Sequence, residues 1–282
     1  MNSYLYKMRK NTHFTLIELS VVLMVVSILF VTIFAGSTMI RKSKLKRIIT
    51  EITDLRISVG NFRGAYLNSI PGDFSRGYQF WGSQCGTDAS APTGCNGNES
   101  TYIGYASYEG SVSESYRFWQ HLYLAEMSDF AATGVKASSA PYSNSDNMQK
   151  SQSFTGTLYW PQGPFFWDKT HFHSSAIGNN NIFILGGTTT LLEPPVGAGI
   201  SPYIAYHIDD KIDDGKPRTG RLKAYNYYDA SNGWDGSQSG NVSGQECDSF
   251  GHNTSEATDA LLLAAEYTIA IDSHECILIF DF

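Results

Sequence analysis

The densest group of potential ligands in the sequence is an acidic stretch at residues 209–215 (DDKIDDG). Several carboxylates close to a turn glycine suit Ca²⁺, which prefers hard oxygen ligands. An EF-hand needs oxygen ligands at alternate positions, and a loop read from Asp210 places Ile212 where one is required. The stretch is therefore either a calcium site of another kind or a solvated acidic turn. Its candidate ligands are Asp209, Asp210, Asp213 and Asp214.

Histidine and aromatic side chains form two further candidate sites. Asp168, His171 and His173 are residue types that bind transition metals, but alternate positions face one side only on a strand, and a loop would disperse them. The segment 158–167 (LYWPQGPFFW) could bind sugars or a partner protein with exposed rings, or fill a core with buried ones. No nucleophile elbow, P-loop or HExxH motif occurs, so nothing in the sequence favours an enzyme.

The sequence contains four cysteines, Cys85, Cys95, Cys247 and Cys276. An even number in an exported domain indicates disulfides, and four cysteines allow three pairings. Proximity along the chain favours Cys85–Cys95 and Cys247–Cys276. A zinc site is the alternative, although the cysteines are widely spaced and no CxxC pair occurs. Disulfides imply an oxidising compartment such as a periplasm.

A long apolar run at residues 14–40 dominates the N-terminal part of the chain. No charged residue occurs from Leu19 to Ile40, and a helix of this length extends for roughly 33 Å. Because that distance crosses the hydrocarbon core of a bilayer, we expect a transmembrane helix. Glu18 lies just inside the run, where a carboxylate is unfavourable unless another group pairs with it.

A basic segment, residues 1–13, precedes the apolar run and contains Lys7, Arg9 and Lys10 but no acid. This order is typical of a secretory signal peptide, for which the cluster at 35–37 (AGS) would supply the cleavage site. The residues 14–19 (FTLIEL) indicate another class of signal. In this setting they resemble the class III signal of type IV prepilins and type II secretion pseudopilins.

The resemblance implies a route of processing and assembly. A prepilin peptidase and N-methyltransferase would cut between His13 and Phe14 and methylate Phe14; His13 stands where the family has glycine. The carboxylate of Glu18 would then pair with the amino terminus at Phe14 of a neighbouring subunit. A glutamate reaching the lipid headgroups is the alternative interpretation of Glu18. The implied partners are other pilin or pseudopilin subunits and the inner-membrane assembly platform.

An amphipathic pattern follows the apolar run. Its apolar residues recur at helical spacing, with Glu51, Asp54 and Arg56 between them. These apolar residues are Ile48, Ile52, Leu55, Val59, Phe62 and Tyr66. The sequence thus predicts one long helix from about residue 14 to residue 68, ended by the break at 70–72 (IPG). We expect the apolar stripe to pack against the globular domain.

Residues 69–282 make up that globular domain. A helix is predicted at 116–127, with His121 on its surface, and another at 255–267. Short strands are predicted at 182–185, 188–192 and 204–208, and a terminal apolar run lies at 276–280. The expected fold class is α+β, and in the pilin family an antiparallel sheet packs on the C-terminal half of the long helix.

Charge limits the partners of the chain. The net charge is −7, and loss of the three basic residues of the leader would lower it to −10. Such a balance does not suggest nucleic-acid binding. The basic cluster at 41–47 (RKSKLKR) would contact lipid headgroups. The positive-inside rule alone favours a cytoplasmic C-terminal side, whereas the resemblance and the cysteines favour a periplasmic one.

These patterns together predict a minor pilin or pseudopilin, anchored once in the bacterial inner membrane with its globular domain in the periplasm. Two alternatives remain. An adhesin-like module at a filament tip requires exposed rings in residues 158–167. A membrane-anchored metalloenzyme requires that Asp168, His171 and His173 converge. No cofactor is expected apart from the calcium considered above.

Overall fold

The protein is described from a computed structural model. It divides into two compact units, Met1–Lys44 and Leu45–Phe282. The structure describes residues 15–85, 94–104, 114–134, 147–163, 180–188, 195, 197–226, 247–249, 263–270 and 276–282.

Helix α1, Leu16–Ala65, confirms the predicted long helix and is 50 residues long. Its side chains at residues 15–36 are exposed. From residue 45 onward the predicted apolar stripe is buried in the core of the second unit, with Tyr66 only partly buried. Leu67 and Asn68 follow the helix with φ angles of 55° and 64°. This left-handed backbone cannot continue an α-helix, so the turn before Pro71 ends it.

Four strands form one antiparallel sheet in the described part of the chain. They are β1 (Thr157–Gln162), β2 (Ile182–Gly187), β3 (Leu222–Asn226) and β4 (Cys276–Asp281), in the order β1-β2-β4-β3. Ile184 of β2 lies opposite Trp160 of β1 and Ile279 of β4. The α+β class and the strand predicted at 182–185 are confirmed, and the terminal apolar run at 276–280 forms most of β4. The strand predicted at 188–192 lies outside the described residues except for Thr188.

Three shorter α-helices accompany the sheet among the described residues: α2 (Gly77–Trp81), α3 (Glu114–Leu124) and α4 (Pro202–Ile212). Helix α3 confirms the helix predicted at 116–127. The predicted strand at 204–208 is wrong, because those residues lie in α4. Pro202 stands at the start of α4, where its missing N–H leaves no bond unmade. The helix predicted at 255–267 lies mainly outside the described residues.

The core of the second unit is built around the sheet. Every residue of β1 and β2 is buried, so both faces of these strands are covered. Phe118 of α3 meets Phe183 of β2 edge to face, with ring centroids 5.3 Å apart. Arg56 of α1 lies over the ring of Phe280 and bonds Asp281 at 3.2 Å. Residues 45–65 of α1 and helix α3 therefore both pack on the sheet.

Candidate functional site

The carboxylate of Glu18 is bound by the residue that precedes α1. The backbone N–H and the hydroxyl of Thr15 both donate to Glu18 Oε2 at 2.8 Å. The Glu18 N–H in turn donates to Thr15 Oγ1 at 3.3 Å. This reciprocal pattern is a capping box, in which a Thr at the N-cap and a Glu three residues later satisfy two backbone donors of the first turn. We did not predict this role for Thr15, although T-x-x-E before an apolar run is its sequence signal.

Glu18 is the only charged residue between Leu16 and Ile40. This part of α1 is long and apolar enough to cross a membrane. Its hydroxyl groups bond within the helix: Ser20 to the Ile17 carbonyl, Ser27 to Leu23 and Thr32 to Leu29. Such internal satisfaction is what a helix in lipid requires, because no water is present there. The processing residues predicted before it, His13 and Phe14, lie outside the described residues.

Glu51, farther along α1, is a second carboxylate held entirely by its own chain. Tyr159 OH, Ser151 Oγ and Ser153 Oγ donate to it at 2.7–2.9 Å. Arg47 lies 3.7 Å from the same carboxylate. Tyr159 lies in β1 and the two serines lie in the loop before it, so their bonds to Glu51 hold α1 on the sheet. The role of Glu51 is therefore structural.

The predicted acidic turn is the end of a helix. Asp209 and Asp210 lie in the last turn of α4, and Asp213 is its C-cap. One carboxylate oxygen from each of Asp209, Asp213 and Asp214 lies within 4.8 Å of the others. Asp210 is not in this group; it is exposed and pairs with Lys211 at 3.1 Å. The structure thus brings together three of the four predicted ligands.

Asp209 is fully buried. Its Oδ2 accepts a hydrogen bond from Tyr267 OH at 2.8 Å, whereas its Oδ1 has no hydrogen-bond partner among the described residues. Burial raises the pKa of Asp209 to about 7, and the nearby charges of Asp214 and Asp213 add to the rise. The Tyr267 hydroxyl and the nearby Gly215 N–H, which forms no hydrogen bond of normal geometry with Oδ1, lower the pKa, but less. The end of α4 thus contains a buried carboxylate with a raised pKa beside two other acidic side chains.

His121, expected on the surface of α3, is instead fully buried. Its Nδ1 accepts a hydrogen bond from the Gly72 N–H at 2.8 Å, so its Nε2 carries the hydrogen and donates to the Cys95 carbonyl at 2.6 Å. Gly72 has a φ of +89°, and an added Cβ would lie 2.4 Å from the Glu114 carbonyl. Burial lowers the pKa of His121 to about 4. The imidazole is therefore neutral at pH 7 and joins three segments of the core.

Two disulfides, Cys85–Cys95 and Cys247–Cys276, confirm the predicted pairing. Their Cα atoms lie 5.3 and 5.0 Å apart, within the usual range. Beside the second disulfide, buried Asp248 pairs with buried Arg218. The Arg218 guanidinium also stacks on Tyr225, 4.3 Å from the ring centroid. The disulfide and the ion pair together fix residues 247–249 against the sheet.

The structure describes only part of the other two predicted sites. In the aromatic segment, Tyr159 and Trp160 are buried, which places them in the core. Residues 164–167 of that segment lie outside the described residues, as do Asp168, His171 and His173. For Trp160, the exposure that an adhesin-like surface requires is therefore contradicted.

Neither a protein-family model, nor a curated protein, nor a solved structure matches the chain.

Proposed function

We propose that the chain is a structural subunit, a minor pilin or pseudopilin, of a type IV pilus or a type II secretion pseudopilus, and not an enzyme. The observation that carries this proposal is the start of α1. There a single carboxylate, Glu18, is followed by an uncharged helical segment whose apolar side chains are exposed. The capping box needs only a neutral side-chain oxygen, so a membrane anchor alone has no use for the charge of Glu18.

The capping box supports a specific account of how Glu18 acts. In the free chain its carboxylate accepts hydrogen bonds from the uncharged donors of Thr15. The amino terminus of a neighbouring subunit, at Phe14, would offer a cation. The ammonium group adds a Coulombic attraction that the uncharged donors lack and that is strong in a medium of low dielectric constant, so the neighbour can replace Thr15 as the partner. Because the segment contains one charge, the pair also sets the axial register of the two subunits.

The two disulfides support an oxidising location for the second unit, which we take to be the periplasm. The apolar segment would then be embedded in the bacterial inner membrane before assembly. Lys42, Lys44 and Lys46 are exposed and would contact lipid headgroups. The proposed partners are a prepilin peptidase and N-methyltransferase, an inner-membrane assembly platform and other pilin or pseudopilin subunits.

Two substitutions separate the charge of Glu18 from its capping role. Glu18→Gln retains an oxygen that caps the helix but removes the charge, whereas Thr15→Ala removes the cap but retains the charge. We expect Glu18→Gln to insert into membranes normally and to enter filaments more than about tenfold less than wild type, because the neighbour's amino terminus loses its counter-ion. Thr15→Ala should enter filaments at a near-normal level. Normal incorporation of Glu18→Gln would count against the proposal.

The mature amino terminus supplies an independent test. Mass spectrometry of the membrane-extracted protein should find a chain that begins with N-methylated Phe14. A chain that begins within residues 35–37 would indicate ordinary secretion of the second unit and would end the proposal.

A further inference from the structure

The end of α4 concentrates negative charge that no salt bridge in the described part of the chain balances. Asp209, Asp213 and Asp214 each direct one carboxylate oxygen to within 4.8 Å of the others. Among the described residues, no Lys or Arg side chain forms a salt bridge with these three carboxylates. The C-terminal end of a helix carries partial negative charge, which makes the position still less favourable for them.

Two of the three carboxylates are oriented by the turn that follows the helix. Asp213 Oδ2 accepts the backbone N–H groups of Arg221 and Leu222. Asp214 Oδ1 accepts the N–H of Lys216, and its Oδ2 accepts the hydroxyl of Thr219. These bonds hold the carboxylates in place, but neutral donors do not remove the repulsion between them.

The buried member of the group supplies the second observation. Asp209 is fully buried, and Tyr267 occupies only its Oδ2. A buried carboxylate oxygen without a partner is strongly unfavourable, and Asp209 Oδ1 has none among the described residues. A cation bound by the three carboxylates would supply the buried Asp209 carboxylate with a counter-charge and would neutralise the repulsion.

We propose that Asp209, Asp213 and Asp214 bind one Ca²⁺ ion at the C-terminal end of α4. The donors are all oxygens, which suits a hard divalent cation and not zinc or copper. Three carboxylates exceed the one or two that Mg²⁺ usually takes, and Ca²⁺ accepts the six to eight ligands that added carbonyl groups or water would complete. Asp214 is exposed, so the ion has a route from solvent. The site is independent of the proposed filament function.

The first experiment is thermal unfolding of the full-length chain in detergent, after chelator treatment. Addition of about 5 mM CaCl₂ should raise the Tm by about 3 °C, and the same concentration of MgCl₂ should raise it much less. The double substitution Asp213→Asn with Asp214→Asn should abolish the response to calcium. Asp210→Asn is the matched control, because Asp210 lies in the same stretch outside the site and should leave the response unchanged.

The second experiment measures binding directly and does not depend on a variant that folds. Tb³⁺ at the site would lie close to Tyr267, which bonds Asp209. Excitation of tyrosine should therefore produce Tb³⁺ emission that CaCl₂ displaces and MgCl₂ does not. The proposal fails if calcium neither raises the Tm nor displaces Tb³⁺. It fails equally if the double variant keeps the calcium response of wild type.

Discussion

The first turn of α1 and the last turn of α4 each contain carboxylates, and the two regions treat them in opposite ways. At the start of α1, Glu18 meets the positive end of the helix dipole and is bonded by Thr15. At the end of α4, Asp209 lies at the negative end of a helix dipole and close to two other carboxylates. Its Oδ1 has no hydrogen-bond partner among the described residues.

The difference shows where a partner must be sought for each group. Thr15 completes the hydrogen bonding of Glu18 as a helix cap, so the role of its charge in an apolar segment is to be sought outside the chain, in lipid or a neighbouring subunit. Asp209 bonds Tyr267 through Oδ2, but its Oδ1 has no hydrogen-bond partner among the described residues, so we look for its ligand within the fold. Substitutions that remove charge but keep shape test both halves of this contrast.

The largest effect is expected at Asp248, a buried carboxylate that is fully paired. Asp248→Asn removes the carboxylate charge that pairs with the buried guanidinium of Arg218 and should lower the free energy of unfolding by about 3–5 kcal/mol. The exposed pair of Asp210 with Lys211 is the control, and Asp210→Asn should change stability by less than about 1 kcal/mol. Denaturant unfolding measures both. Equal losses of stability in the two variants would show that burial does not make the Asp248 ion pair more important for stability than the exposed Asp210 pair.

His121 extends the contrast to a buried side chain that stays uncharged in the folded state. Its pKa is about 4 in the folded state and 6.5 unperturbed, so below pH 6.5 the unfolded chain binds a proton that the folded chain does not. Stability from this residue is complete above pH 6.5 and decreases as pH falls to about 4, by about 3 kcal/mol in total.

The His121→Gln variant isolates that pH dependence, because the difference between variant and wild type cancels other titrating groups, Asp209 included. The variant should be less stable than wild type at pH 7, and the gap should narrow as pH falls from 6.5 to 4. Urea unfolding at several pH values measures it. A constant gap would show that His121 has the same pKa in the folded and the unfolded chain.

Much of the fold could be predicted because its signals are local. The apolar run and the three- and four-residue spacing of the stripe predict α1, and the β-rich segment at 182–185 predicts β2. The pattern YIAYHI at 203–208 led to the wrong prediction of a strand at 204–208, because β-branched and aromatic residues favour strands. Pro202 suits the first position of a helix but does not by itself indicate that a helix follows. The packing of Ala205 and Ile208 in the core decides for the helix.

The candidate sites were predictable only in part, for a related reason. Thr15 and Glu18 are three residues apart, so their capping box can be read from the sequence. The environment of Asp209 depends on Tyr267, 58 residues later, which bonds Asp209 and pairs with Asp248 next to the second disulfide. No local pattern contains that information, and this is why Asp210 was included among the ligands.

A smaller effect, of opposite sign to that at Asp248, is expected from Asp209→Asn. At pH 8, above the Asp209 pKa of about 7, the folded state holds three ionised carboxylates together. In chelator the substitution should raise the free energy of unfolding by roughly 1–3 kcal/mol, because it removes repulsion between charges. With calcium present the gain should vanish, since wild type then gains a ligand. If Asp209→Asn lowered the free energy of unfolding both in chelator and in calcium, the Asp209 carboxylate would stabilise the folded chain, and it would no longer contrast with Glu18.

The smallest effect is expected from Thr15→Ala, which tests whether Glu18 is satisfied by its own chain. The substitution removes the hydroxyl of the capping box and should destabilise the first turn of α1 by about 1 kcal/mol. Because the turn lies at a helix end, the loss should stay local: amide exchange at residues 17–19 should accelerate about fivefold in detergent, while global unfolding is unchanged.

Ser20→Ala is the control, since the Ser20 hydroxyl bonds only the Ile17 carbonyl within the helix and caps no backbone donor. If both variants exchange at the wild-type rate, Glu18 is not held by Thr15 in solution. The carboxylate at the start of α1 would then lack an internal partner of the kind that Asp209 has in Tyr267.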